Sequence, residues 1–401
     1  MRKDFLIFIP LFFLLEFYVY QAFKQLTTNP LIRASYWVFT ALVYLAIGFI
    51  IFRISKGTAG RQSAQWMMSL LVLFVFPKLL TFVFLLFGDI VRFAEYGVKK
   101  VAGNAEHLPS RRRFFSVAGL ASAGLFSLLM LDGIVFGKYR HWVRHVRIRF
   151  AGLPPAFKGY RIVQVSDVHS GTFYKPEKLQ HAIDMINRQN ADLVLFTGDM
   201  VNNQSEEFIP FVELFKSIQA RDGKFAVLGN HDYAGYLEWE TPEAQRADVE
   251  NLIRLEEEAG FEMLRNEHRV IERNGEKLYI IGVENWGLPP FPQLGDLNKA
   301  SEGVPPEAIK ILMSHDPSHF DAVVKKHPAN VQLTLSGHTH GMQFGIDLKN
   351  VKWSPIQYKY PKWADLYESM GKYLYVNRGF GVLGYPGRVG IDPEITVFEL
   401  I

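Results

Sequence analysis

Ser336-Gly337-His338-Thr339-His340-Gly341 is the stretch on which the reading of this chain turns. It follows the alternating apolar positions Val331, Leu333 and Leu335, the pattern of a buried strand, and its two glycines punctuate a loop where that strand ends. Two imidazoles one residue apart project from such a loop. A lone core histidine is usually just hydrogen-bonded, whereas two between glycines at a strand exit seldom serve packing and suit a metal ion. Further ligands are then expected at the ends of other strands.

Upstream, that expectation recurs. The run 160–166 reads as a strand that delivers Asp167 and, two residues later, His169, a carboxylate and an imidazole able to grip one ion from one loop. A helical pattern at Leu179, Ile183 and Ile186 leads to the apolar run 192–197, which resembles a buried parallel strand and ends in Gly198-Asp199. Alone, an Asp after a Gly turn is more often a cap or turn former. A second helical stretch, 208–218, precedes 225–228, which empties into Gly229-Asn230-His231-Asp232; 278–283 is strand-like, and 309–313 ends at Ser314-His315-Asp316-Pro317. Strands alternating with helices imply an α/β sheet with ligands outside the strands' carboxyl ends. Toward the C-terminus, 373–377 and 394–400 are strands with no helix between them, so antiparallel elements should close a mixed sheet.

Together, Asp167-x-His169, Gly198-Asp199, Gly229-Asn230-His231-Asp232, Ser314-His315-Asp316-Pro317 and Gly337-His338-Thr339-His340-Gly341 resemble the calcineurin-like metallophosphoesterases. The resemblance runs from about residue 144 onward. The ending Tyr375-Val376-Asn377-Arg378-Gly379-Phe380-Gly381, with Pro393-Glu394-Ile395 beyond, is similar to the bacterial membrane-associated branch, which includes enzymes acting on cell-envelope and lipid-linked phosphates. The resemblance implies a four-layer α/β/β/α sandwich with two divalent metal ions, Mn, Fe or Zn, at the sheet edge. It assigns Asp167, His169 and His340 to one ion, Asn230, His315 and His338 to the other, and Asp199 to both as a bridge. Such a pair lowers the pKa of a shared water, so that hydroxide attacks phosphorus in line. His231 becomes the proton donor to the leaving oxygen.

One position departs from the family pattern. Many relatives have a second Asp three residues after the bridging one, where this chain has Asn202. Either His231 is held more weakly, or Asp232 or another group substitutes. The expected activity is a metal-dependent phosphoric ester hydrolase (phosphodiesterase, phosphatase or pyrophosphatase) acting on a phosphorylated substrate, with lipid-linked and cell-envelope phosphates as the candidates. The alternatives are a non-catalytic scaffold or binding module on the same fold, and a transporter with an appended domain.

Of the 401 residues, 49% are hydrophobic, and almost all the long apolar runs lie before about Phe136. The expected division is a transmembrane region over 1–140 and a phosphoesterase domain over 141–401. Four segments, near 5–23, 35–52, 66–91 and 114–136, approach or exceed the about 20 apolar residues that a bilayer crossing needs. The third holds Pro77-Lys78 near its middle, so a kink, a tilt or a re-entrant path is expected. Glu16 should face the bundle or snorkel, and Asp132 lies close enough to a helix end to do the same. So few intramembrane polar groups favour an anchor over a transport pathway.

Ser110-Arg111-Arg112-Arg113-Phe114-Phe115 before an apolar segment resembles the twin-arginine export signal of bacteria, and is otherwise a basic helix flank. Both readings put this loop in the cytoplasm. The chain is then a multi-pass protein of the plasma (inner) membrane with its catalytic domain outside the cytoplasm. With no cysteine, thiolate metal sites and zinc fingers are excluded. A net charge of +4 spread through loops gives no footprint for nucleic acid. Lys349, Lys352, Trp353, Tyr358, Lys359, Tyr360, Lys362 and Trp363 form an aromatic and basic tract that either rests on the lipid bilayer or packs its own aromatics. Trp286 and the segment 233–239 are expected to line the cleft.

Overall fold

The computed structural model describes residues 5–56, 58, 60, 62–101 and 109–401, with side chains from residue 10 in the first helix and from residue 112 in the last long one. It divides into two units, Met1–Ile134 and Val135–Ile401. Ser110 and Arg111 of the basic motif and residues 102–108 of its loop lie outside the described side chains.

The first unit contains helices Phe5–Leu26, Pro30–Ser55 and Pro109–Val135, and one continuous helical run, Ser63–Val101. Among the described residues, Pro30–Ser55, Ser63–Val101 and Arg112–Tyr139 are long and apolar enough to cross a membrane. The second helix starts where its sequence dictates: Pro30 occupies the first turn and Asn29 Oδ1 accepts the Leu31 N–H at 2.9 Å. A π-helical turn, Leu71–Val75, ends two residues before Pro77, and this wider turn accommodates the proline's missing N–H without ending the helix. Glu16 faces the bundle, bonded to Lys78 Nζ at 2.7 Å and to the hydroxyls of Tyr36 and Tyr44 at 2.7 and 2.8 Å. Asp132 is exposed.

The strands of the second unit are β1 (Trp142–Ile148), β2 (Arg161–Val165), β3 (Leu193–Phe196), β4 (Lys224–Ala226), β5 (Glu262–Met263), β6 (Glu267–Arg273), β7 (Glu276–Gly282), β8 (Lys310–Met313), β9 (Leu333–Ser336), β10 (Ile346–Leu348), β11 (Val351–Trp353), β12 (Asp365–Ser369), β13 (Lys372–Val376) and β14 (Glu394–Leu400). They form two six-stranded sheets, ordered β1-β14-β2-β3-β4-β5 and β12-β13-β9-β8-β7-β6, and the ribbon β10-β11. β2 to β5 run parallel, as do β7, β8, β9 and β13. Antiparallel pairing enters at β14 on β2, β12 on β13 and β6 on β7.

Side-chain alternation builds the layers. Ile162, Leu193, Leu195 and Phe225 of the first sheet meet Ile280, Ile311, Leu333 and Leu335 of the second in one core. Val163, Val165, Val194 and Phe196 point the other way, onto Ile183 and Ile186 of helix Gln180–Asn187 and Leu252 of helix Pro242–Glu258. On the outer face of the second sheet, Ile281, Leu312 and Leu374 pack under Leu297 and Phe320. The result is an α/β/β/α sandwich. The expected helix at 208–218 is instead a 3-10 turn, Ile209–Phe211, followed by the short helix Val212–Lys216, because Pro210 occupies the first turn and resets the start. In the aromatic and basic tract, Tyr360 and Trp363 are buried, Lys352 and Lys362 are paired with Asp365 and Asp321, and Trp353 and Tyr358 are exposed.

Candidate metal centre

Five parallel strands end at one edge, and the loop after each carries a residue singled out above. β2 presents Asp167 and His169, β3 Asp199, β4 Asn230 and His231, β8 His315, and β9 His338 and His340. Backbone hydrogen bonds lace the loops together: Asp167 N–H donates to Gly198 O at 2.8 Å, His169 N–H to Asp199 O at 3.1 Å and Gly337 N–H to His315 O at 2.9 Å. Asp167, His169, Asp199, His338 and His340 all have positive φ, between 48° and 69°. Left-handed backbone at five non-glycine residues in one place marks a site the surrounding fold holds against preference. Gly337 makes this crowding feasible, since a Cβ there would lie 2.0 Å from Ser166 Oγ and 2.1 Å from Asp167 Oδ2.

The side chains, buried except for partly exposed His338, gather into two groups, Asp167, His169 and His340, and Asp199, His315 and His338, in each of which the ligand atoms lie within 4.8 Å of one another. His169 Nε2 and His340 Nε2 are 3.0 Å apart, with Asp167 Oδ1 3.2 Å from the latter. Asp199 Oδ2 sits between the groups, 3.5 Å from His169 Nε2 and 3.2 Å from His315 Nε2. Asn230 Oδ1 joins the second group, 2.8 Å from His338 Nδ1.

Outer contacts decide which ring nitrogen faces inward. His169 Nδ1–H donates to Val201 O at 3.2 Å and His315 Nδ1–H to Thr197 O at 2.7 Å, leaving both Nε2 lone pairs aimed at the centre. His338 is turned the other way, its Nε2 lying 2.9 Å from the Tyr360 hydroxyl and 3.4 Å from Asp316 Oδ2. His315 Nε2 is fully buried and has no hydrogen-bond partner. An orphaned buried nitrogen beside a carboxylate, and ring nitrogens at contact distance, fit a divalent cation as the missing partner. The charges agree. The carboxylates draw positive charge to His315: burial pushes its imidazolium down, but Asp199 and Asp167 outweigh it and hold the group up at about 10, so a metal ion on Nε2 would take the place of that proton. Burial likewise pushes Asp199 up, and the pull of His315, His231 and His169 leaves it well below the ordinary carboxylate range. His338 is pushed down to about 4 by burial.

His231 belongs to neither group. Its Nδ1–H donates to the backbone carbonyl of Asn202 at 2.6 Å, so that Nε2 is the open nitrogen. The Asn202 side chain points elsewhere, donating to Thr172 Oγ1 at 3.0 Å. Asp232 does not orient His231 either; it accepts the N–H groups of Asp199, Met200 and Gly229 at 2.7, 2.8 and 2.8 Å. Neither the carboxylate expected three residues after Asp199 nor its suggested substitute is used. Sequence reasoning missed Tyr360, Asp316 and Arg388 as parts of the site. Arg388, buried, donates to the carbonyls of Gly379 and Gly381 at 3.0 and 2.6 Å and lies 3.4 Å from His340 Nδ1. Only Asp316 carried a signal, its place in Ser314-His315-Asp316-Pro317.

A family model described as "Calcineurin-like phosphoesterase" matches residues 160–342, and one described as "Probable Calcineurin-like phosphoesterase, transmembrane domain" matches residues 1–138. The chain belongs to the calcineurin-like phosphoesterases. Among relatives of this calcineurin-like phosphoesterase is the metallophosphoesterase YkuE of Bacillus subtilis (strain 168), 29% identical over 304 residues that cover 73% of this chain and 97% of the relative. A transmembrane protein with metallophosphoesterase domain from Danio rerio is 30% identical over 278 residues, 67% of this chain and 60% of that protein. Phosphodiesterase YaeI of Escherichia coli (strain K12) is 26% identical over 300 residues, 73% of this chain and 99% of the relative.

Proposed function

We propose that this phosphoesterase is a membrane-anchored two-metal hydrolase of phosphate ester or pyrophosphate bonds, with a membrane region over 1–140 and a catalytic domain over 141–401. The observation that carries the reading is Asp199 Oδ2 lying between two ligand groups, at 3.5 and 3.2 Å from one imidazole of each. Asp167, His169 and His340 would hold one divalent ion, Asn230, His315 and His338 the other, and Asp199 both. When bound, such a pair supplies a water-derived nucleophile at neutral pH and neutralises charge on phosphoryl oxygens. The protein does the rest: the carbonyls of Val201 and Thr197 fix the ligand tautomers, and the Asn202 carbonyl aims His231 so that its open Nε2 donates a proton to the leaving oxygen.

The membrane region supports a lipid-linked or cell-envelope substrate, and the basic loop before the last long helix supports an extracytoplasmic catalytic domain in a multi-pass plasma (inner) membrane protein. The test is full-length protein in detergent with added Mn²⁺ and a chromogenic phosphodiester, beside Asp199→Ala and His231→Ala. Activity in the wild type that Asp199→Ala loses by at least about 100-fold on this diester, and that His231→Ala loses to that extent on a diester with an alkyl leaving group, is expected; equal rates in all three on both diesters would leave a scaffold on the same fold. Phosphate release from phospholipids, UDP-linked sugars and prenyl pyrophosphates would identify the substrate class. A compartment-sensitive reporter after Ile401 reads the orientation, and a cytoplasmic signal would count against export.

A further inference from the structure

Tyr236 touches two residues of the centre at once. Its hydroxyl accepts the Asn230 Nδ2–H at 2.7 Å, and its ring stacks on His231 with centroids 4.3 Å apart and planes 25° from parallel. His169 closes the other side of His231 edge-on at 4.9 Å and 86°. With Nδ1 held by Asn202 O, the imidazole is clamped on two sides and tied at one nitrogen, and Nε2 has no protein partner among the described residues. The loop carrying Tyr236 is itself braced: Trp239 Nε1–H donates to Ala234 O at 2.8 Å, Gln245 Nε2–H to Tyr233 O at 2.8 Å, and Asn285 N–H to the Tyr233 hydroxyl at 3.1 Å.

An asparagine amide has two ends of opposite use. Oδ1 can bind a cation and Nδ2 repels one, and nothing in the side chain itself prevents a flip. Asp316 beside His338 Nε2 favours the proton on that nitrogen, so His338 Nδ1 and Asn230 Oδ1 offer lone pairs to one point while 2.8 Å apart. In the orientation observed, the Tyr236 hydroxyl accepts from Nδ2 and so anchors the amide with Oδ1 inward.

We infer that Tyr236 is a positioning residue with two separable functions: its hydroxyl sets the Asn230 amide for the second metal ion, and its ring sets His231 for proton delivery to the leaving group. This rests on the two-metal reading above. Tyr236 is half-exposed, so its substitution should leave the core intact.

The test uses the full chain in detergent, stripped of metal and titrated with Mn²⁺ by calorimetry, then assayed at saturating Mn²⁺ with two diesters, one with a p-nitrophenyl and one with an alkyl leaving group. Tyr236→Phe is expected to weaken the second Mn²⁺ equivalent by about 10-fold or more, as loss of a ligand's outer contact does, while keeping the wild-type ratio of rates on the two diesters. Tyr236→Ala should weaken the same equivalent and also slow the alkyl diester about 10-fold more than the p-nitrophenyl one, since only the poor leaving group needs the proton. A wild-type second-site affinity in Tyr236→Phe, or an equal loss on both diesters in Tyr236→Ala, overturns the assignment while the two-metal reading stands. Fewer than two Mn²⁺ equivalents on the wild type would overturn both.

Discussion

His231 is oriented by a main-chain oxygen, and that makes its geometry independent of the side chain at the position supplying it. Asn202→Ala should therefore retain hydrolysis within about threefold of wild type, whereas His231→Ala should lose about 10² to 10⁴ on a poor leaving group. A steady-state assay of both variants at saturating Mn²⁺ checks this, and a collapse in Asn202→Ala would return the orienting role to its amide. Gly337 is the opposite case, a residue whose lack of a side chain is itself functional. A methyl group there would collide with Ser166 Oγ and the Asp167 carboxylate, so Gly337→Ala should lower bound metal below the wild-type stoichiometry even where circular dichroism shows folded protein. Elemental analysis of the purified variant reads the outcome.

Among the elements, helix Pro242–Glu258 carries a cost that pH can expose. Its N-terminus is well made, with Thr241 Oγ1 accepting the Ala244 N–H at 3.1 Å. Near its end, however, Glu256 is fully buried and neither carboxyl oxygen has a partner. Burial, with Asp232 adding to it, raises this carboxyl well above its ordinary range. A raised acid contributes its stability below the unfolded pKa and loses it as pH rises through the folded value. Glu256→Gln should thus melt like the wild type near pH 4 and at a higher temperature at pH 8; thermal scans across that range decide. The same helix shows what the sequence made legible. Apolar runs ending in Asp or His, as at β2, β3, β8 and β9, announced themselves because period and exit chemistry agree locally. Helix Pro242–Glu258 has five Glu and two Arg among its 17 residues, which dilute its apolar stripe. Tyr360 and Arg388 reach the site through contacts that no local pattern encodes, Tyr360 lying 22 residues from His338 and Arg388 48 from His340.

At the scale of the whole catalytic unit, one guanidinium ties the layers. Arg378, just beyond β13, is fully buried and bonds Glu394 at the start of β14 at 2.7 Å, Asp365 at the start of β12 at 2.8 Å and Asp347 in the ribbon at 3.0 Å. It thereby joins the second sheet to the first. Removing one partner of a buried ion cluster leaves charge uncompensated, so Arg378→Met should destabilise the unit by about 3–5 kcal/mol in denaturant titration. Burial pushes Glu394 up, yet Arg378 and Arg144 prevail and hold it below the usual carboxylate range. Its stabilisation is present above the unfolded pKa and is lost as pH falls from about 4.3 through the folded value. Wild type should therefore lose stability on acidification, and Glu394→Gln should show a shallower dependence there. The left-handed residues have a different implication. Each costs of order 1–3 kcal/mol, so the five together rival the net stability of an entire domain. Ions held at the proposed centre would act as a latch on a compressed spring. Chelation should release it, and in deuterium exchange the amides of Asp167, His169, Asp199, His338 and His340 would be the first to label, before any strand opens.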